Sequence, residues 1–177
     1  MKIPIYQVDA FTSKIFEGNP AAVCPLKQWI SEDIMQNIAQ ENNLSETAFF
    51  VKKDNNFEIR WFTPVAELDL AGHPTLATAH VILKELKINL NKVIFKTKIN
   101  DILNVSYKDK IYLMDFPSRD PRVDKNIDQV AEALGSRPKK LYRHRDAVAI
   151  FDNEDEIKNI YPNMDKCKWY AEKINTQ

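Results

Sequence analysis

Cysteine is nearly absent from this chain: Cys24 and Cys167 are the only two in 177 residues, far apart and in no Cys-x-x-Cys arrangement. That excludes a disulfide framework, suggests no zinc site, and makes a reducing cytoplasm the expected compartment. Excess charge is absent too. Twenty-five basic and twenty-five acidic side chains cancel, so no global field draws the protein to nucleic acid or to an anionic membrane. No apolar run approaches membrane-spanning length, and the N-terminus carries Lys2 and Asp9 among alternating residues where a signal peptide would be apolar. Glycine is scarce: Gly18, Gly72 and Gly135 are the only three, and each stands where an element is expected to turn, start or stop. Apolar side chains are plentiful. At 44% hydrophobic, the chain can bury a core without staples, in one domain or two small ones.

The periodicity predicts a strand-rich first part. Residues 3–8 alternate as an opening strand, and the apolar run 21–26 is suited to pair with it across Gly18-Asn19-Pro20. Ser31 is placed to cap a helix carrying Glu32 and Asp33 in its first turn and ending at Asn42-Asn43. From Ser45 the period becomes two, with Thr47, Phe49 and Val51 on one face and Glu46, Ala48 and Phe50 on the other; residues 57–62 then form the returning strand of a hairpin. Three further strands are expected over 93–98, 102–107 and 111–116. Between them lies the stretch around which the chain is organised, Ala71-Gly72-His73-Pro74-Thr75, where Pro74 is expected at the first helical position with Gly72 or His73 as cap. The amides of Gly72, His73 and Thr75 would then be free, and with the helix dipole they make an anion site. The helix that follows, to about residue 86, is apolar nearly all round and should be buried.

Two prolines in Pro117-Ser118-Arg119-Asp120-Pro121 mark a boundary, so that 1–116 forms one domain and 117–177 another. The second part predicts a helix from Ile127 stopping at Gly135 and a strand pair over 141–144 and 147–151. Its polar end, from Asp152, is expected to be anchored by Ile157, Ile160, Tyr161, Trp169 and Tyr170. The basic run from Arg137 to Arg145 is read as an edge strand made soluble by charge, compensated by Asp152 to Glu156, in preference to a nucleic-acid patch. Cys24, inside an apolar strand, is expected to be inert, and His80 structural. His73 and Glu46 are the informative polar residues. A carboxylate beside Ala48 and Phe50 is either a solvated edge residue or one tuned for proton transfer, and spacing alone leaves both open.

Four motifs in order, Phe16-Glu17-Gly18-Asn19-Pro20-Ala21-Ala22-Val23, Asn43-Leu44-Ser45-Glu46-Thr47, Arg60-Trp61-Phe62-Thr63-Pro64 and Glu67-Leu68-Asp69-Leu70-Ala71-Gly72-His73-Pro74-Thr75, resemble the PhzF-like isomerases of phenazine biosynthesis. The resemblance covers the first ~115 residues well, and Tyr112-Leu113-Met114-Asp115-Phe116-Pro117 looks like the start of the family's second domain. It implies an α+β fold like diaminopimelate epimerase, with two similar domains, each a curled antiparallel sheet or barrel around a central helix. It further implies that Glu46 moves a proton between carbons of a small carboxylate substrate. Gly72 and His73 would bind that substrate at a helix start, with Thr75 and Asn19 also among the binding residues, and no cofactor or metal would be needed. Family members are longer, and their second domain carries an acidic residue and a second helix start of Gly-Ser-Ala-His type. Neither motif is found after Pro117, so residues 117–177 are expected to be a partial second domain. The expected function is a PhzF-like isomerase with little turnover by the chain alone, unless a second copy or a partner chain completes the cleft. The alternative is a catalytically inactive, truncated homologue acting as a small-molecule binding or interaction module; a hydrolase on a similar sheet has no motif behind it.

Overall fold

A computed structural model describes residues 2–14 and 16–175 and divides the chain into two compact units, which meet in sequence at Phe116 and Pro117. In the first unit β1 (Tyr6–Ala10) pairs antiparallel with β2 (Asn19–Leu26). Gly18, at φ +81°, makes the turn that joins them, and a Cβ there would stand 2.3 Å from the Ala10 carbonyl oxygen, so only glycine fits. Helix α1 (Glu32–Asn42) then crosses over to β3 (Glu46–Lys53), which lies parallel to β2. Asn43 ends α1 in the left-handed conformation, its amide bonding to the Ala39 carbonyl. Ser31 does hold the N-cap position, but its side chain makes no capping hydrogen bond; Glu32 and Asp33 at the positive end of the helix remain the stabilising feature.

Strand β4 (Asn56–Phe62) returns antiparallel along β3 and is touched at its end by the short β5 (Glu67–Leu68). Helix α2 (Gly72–His80) follows and runs into a π-helical turn over Val81–Glu85, in which the Leu86 amide reaches the Val81 carbonyl at 2.9 Å. Strands β6 (Lys92–Lys96), β7 (Ile102–Lys108) and β8 (Ile111–Asp115) complete a sheet of eight strands. The fold is the α+β, epimerase-like half-barrel that the resemblance implies. The sheet is mixed: β2 with β3 and β4 with β6 are parallel, because a helix intervenes in each connection.

Alternation along the middle strands explains why they are buried on both faces. Ala21, Val23, Ala48, Phe50, Phe57, Ile59 and Trp61 pack inward with Ala77, Ala79, Val81 and Ile82 of the α2 segment. Cys24, Phe49 and Phe62 point the other way, against Met35 and Ala39 of α1. The sheet is thus filled by α2 on one side and covered by α1 on the other.

The second unit contains β9 (Arg122–Val123), α3 (Ile127–Leu134), β10 (Lys140–Arg143), β11 (Ala147–Ile150), α4 (Glu154–Lys158) and α5 (Met164–Asn175). Its core is slight, with Val130, Leu141 and Tyr170 buried together. Buried Asp124 acts as a polar hub: its Oδ1 accepts from the Asn126 amide at 2.9 Å and from Asn126 Nδ2 at 2.7 Å, and its Oδ2 from the Tyr170 hydroxyl at 2.7 Å. Two expectations are corrected here. The basic run does not lie on an edge, since β10 is the middle strand of β11-β10-β9, although Lys139 does pair with Asp152. The polar end forms two helices, and of its expected anchors Tyr170 is buried while Ile157, Tyr161 and Trp169 are exposed. The signal for α4 was an Asn-x-x-Glu box, in which the Glu156 amide donates to Asn153 Oδ1 and Asn153 Nδ2 donates to Glu156 Oε1. No helix among the described residues is long and apolar enough to cross a membrane.

Candidate functional site

Parallel pairing sets β2 and β3 side by side with Ala21 opposite Glu46, so both strands begin at the same end of the sheet. The start of α2 meets them there. His73 Nε2 lies 3.1 Å from Glu46 Oε2 and 3.3 Å from Ser45 Oγ, and Ser45 Oγ lies 3.0 Å from the Pro20 carbonyl oxygen and 3.1 Å from Asn19 Oδ1. Glu46 and His73 are both largely shielded, with side chains 16% and 9% exposed.

Hydrogen bonding within this group is constrained by a count of protons. The Ser45 hydroxyl has one proton, and its neighbours on β2 are acceptors; with that proton donated to Pro20 or Asn19, its oxygen is an acceptor for His73 Nε2 in the tautomer that carries hydrogen there. Glu46 Oε2, though close to the ring, is left buried with no hydrogen-bond donor. A buried carboxylate oxygen without a donor is costly, and such atoms in native proteins call for an explanation.

The helix start differs in detail from the expectation. Helix α2 begins at Gly72, with Ala71 as its N-cap, so Pro74 is the third helical residue and not the first. Proline is tolerated there for the same reason, since amides of the first turn have no intrahelical acceptor. Gly72 and His73 keep free first-turn amides. Thr75 does not: it lies one turn into the helix, where its amide faces the Ala71 carbonyl, and its fully buried hydroxyl donates to the same oxygen at 2.6 Å. Gly72 is not in the left-handed region, and an added Cβ would meet only Phe116 Cε2, at 3.8 Å.

Glu46, His73, Gly72 and Asn19 are therefore brought together, Asn19 through Ser45, while Thr75 sits behind the helix start. Ser45, inside the Asn-Leu-Ser-Glu-Thr motif, links Asn19 to His73, a contact that spacing along one strand does not reveal. The third motif has a structural use. Arg60 donates to both carboxylate oxygens of Glu67, at 2.6 and 2.7 Å, and to Glu32 at 2.7 Å; its guanidinium also stacks near Trp29 and Phe62. Burial pushes the Glu67 carboxyl up, but Arg60 and then Lys98 outweigh it and hold the group below the ordinary glutamate range. This network clamps the segment leading into α2. Cys24 is wholly buried, and burial pushes its thiol up to about 12, so it is inert at neutral pH.

Residues 8–174 match the family described as phenazine biosynthesis-like protein, PhzC-PhzF. The chain belongs to that family. An uncharacterized isomerase of Pseudomonas aeruginosa is 41% identical over 168 residues, covering 95% of this chain and 64% of that protein. The crystal structure of a PhzF-family protein from Enterococcus faecalis superposes with a TM-score of 0.84 at 40% identity, covering 94% of this chain and 64% of that one. A P. aeruginosa structure described as a predicted epimerase, 22% identical, shares the fold with a TM-score of 0.64 over 80% of this chain and 55% of its own. The PhzC-PhzF chain thus spans 64% of the length of its P. aeruginosa relative. Its family likeness, carried by motifs over the first ~115 residues, extends over residues 8–174 and so into α5.

Proposed function

We propose that this chain is a PhzF-like isomerase that moves a proton between carbons of a small carboxylate substrate without a cofactor. The observation that carries the reading is the buried Glu46 Oε2, free of any hydrogen-bond donor, beside His73 at a helix start with free amides. In this reading the substrate carboxylate rests on the Gly72 and His73 amides, where the helix dipole favours negative charge. Glu46 Oε2 accepts a proton from the adjacent carbon; as that C–H bond breaks, its electron pair spreads into the substrate's conjugated system. The same carboxyl returns the proton at another carbon, so electrons balance without an oxidant or reductant. His73, held by Ser45 and through it by Asn19, keeps Glu46 oriented, and Thr75 secures the Ala71-Gly72 end by its bond to the Ala71 carbonyl. Residues 117–177 are read as part of a second domain. The relatives' names support isomerase chemistry, and the first unit's geometry supports its location.

The test is deuterium exchange. The chain is incubated in D2O with dihydro-hydroxyanthranilate and a panel of small unsaturated carboxylic acids, and incorporation is read by mass spectrometry. Incorporation lost in Glu46→Gln supports the reading, and incorporation that survives in that variant overturns the role of Glu46. Carboxylate binding at Gly72 and His73 without any exchange would turn the assignment to a binding module.

A further inference from the structure

We propose that the second unit holds a binding site for a compact oxyanion with two or more negative charges, independent of the Glu46 site. Three observations converge on it. First, β9 and β10 pair with Arg122 directly opposite Arg143. Opposite residues of an antiparallel pair project from the same face with Cβ atoms roughly 5 Å apart, and like charges so placed repel. Second, Arg143 Nη1 is buried and has no hydrogen-bond acceptor. Its nearest acid, Asp124 Oδ2, is 3.7 Å from Nε, and both oxygens of that carboxylate are already engaged by Asn126 and Tyr170. Third, the two arginines border a recess of about 700 Å³ whose wall also includes His144 and Arg145, with Asp120 its single carboxylate. Arg145 donates from Nε to Asp146 at 3.2 Å, and Asp120 lies 3.5 Å from the Ser118 hydroxyl.

Such a wall is short of negative charge by its own count. An oxyanion in the recess would relieve the Arg122–Arg143 repulsion, and guanidinium forks match the oxygen spacing of phosphate and carboxylate groups. A small ligand fits better than a nucleic-acid strand. Of the remaining cations of the basic run, Arg137 pairs with Asp128 and Lys139 with Asp152, which leaves the recess cations as a compact group.

The experiment is isothermal titration of the full chain with inorganic pyrophosphate and, separately, with citrate, in low-salt buffer free of other polyanions. Saturable one-to-one binding of either anion is expected, and the tighter of the two tells phosphate from carboxylate chemistry. Arg122→Gln and Arg143→Gln should each weaken it at least about tenfold, while Lys125→Gln, exposed and off the recess wall, should leave it within about twofold. Arg122 is exposed, so its variant decides should Arg143→Gln fail to fold by circular dichroism. No saturable binding of either anion up to about 10 mM, or equal binding by wild type and Arg122→Gln, overturns the site.

Discussion

Glu46, His73 and Ser45 form a group of three side chains in which His73 Nε2 lies 3.1 Å from Glu46 Oε2 and 3.3 Å from Ser45 Oγ, and that carboxylate oxygen has no hydrogen-bond partner. The proposed roles separate by phenotype. Glu46→Gln keeps the shape but cannot accept a proton, so it should abolish exchange while sparing ligand binding; His73→Ala should mainly weaken binding, read as a raised Kd by titration. Ser45→Ala removes the acceptor for His73 and should lower exchange by roughly tenfold through misorientation, with the fold intact. Exchange undiminished in Ser45→Ala would show that the ring is held by other means. Cys24 makes a contrasting case. Its thiol, pushed up to about 12 by burial, should resist alkylation at neutral pH until the chain is unfolded, which mass spectrometry after iodoacetamide treatment would show.

At the level of elements, the joints matter more than the strands. The β1–β2 turn depends on Gly18, and Gly18→Ala drives a Cβ to within 2.3 Å of the Ala10 carbonyl oxygen and 2.7 Å of Thr12 Cγ2. A loss of more than about 1 kcal/mol is expected, measured as a lower urea midpoint. The Arg60 clamp has a pH signature. Glu67 is held below the ordinary glutamate range despite its burial, by Arg60 first and Lys98 next, so its contribution is full above the ordinary glutamate pKa. It is lost as pH falls through the depressed, folded-state value. Unfolding midpoints should therefore drop between neutral pH and about pH 3, and the drop should be smaller in Arg60→Met, where the carboxylate has lost its main partner. An equal drop in both proteins would show that acid acts elsewhere.

For the whole molecule, the two units are unequal. The first surrounds α2 with a continuous core, whereas the second buries Val130, Leu141 and Tyr170 together. Amides of α3 and α5 should exchange with deuterium before those of β2, β3 and β4, and proteolysis should cut first near residues 117–121, a stretch without regular structure. Along β11, Val148 and Ile150 share a face and are 48% and 38% exposed, and Val123 is 76% exposed. Apolar strand surface of this kind favours association. Sedimentation at increasing concentration should show larger species, and Val148→Lys with Ile150→Lys should suppress them; a concentration-independent monomer in the wild type would count against a sticky sheet.

Local pattern alone determined much of this protein. The period-two run from Ser45 assigned Phe49 to one face and Phe50 to the other, and the structure packs them against α1 and against α2 respectively. Asn43 and Gly135 stopped helices where a left-handed residue was needed, and the four ordered motifs named the family that residues 8–174 match. These features are local because turn chemistry and alternation act within a few residues. The position of Pro74, the middle place of β10 and helix α5 were not legible in that way. A helix start depends on which carbonyl first accepts, a strand's neighbours depend on segments far along the chain, and amphipathic helices with few apolar residues form where others cover them. Only the tertiary structure placed the bare oxygen of Glu46 against His73, 27 residues further along, because parallel pairing of β2 with β3 and the insertion of α2 beneath them are decided by packing.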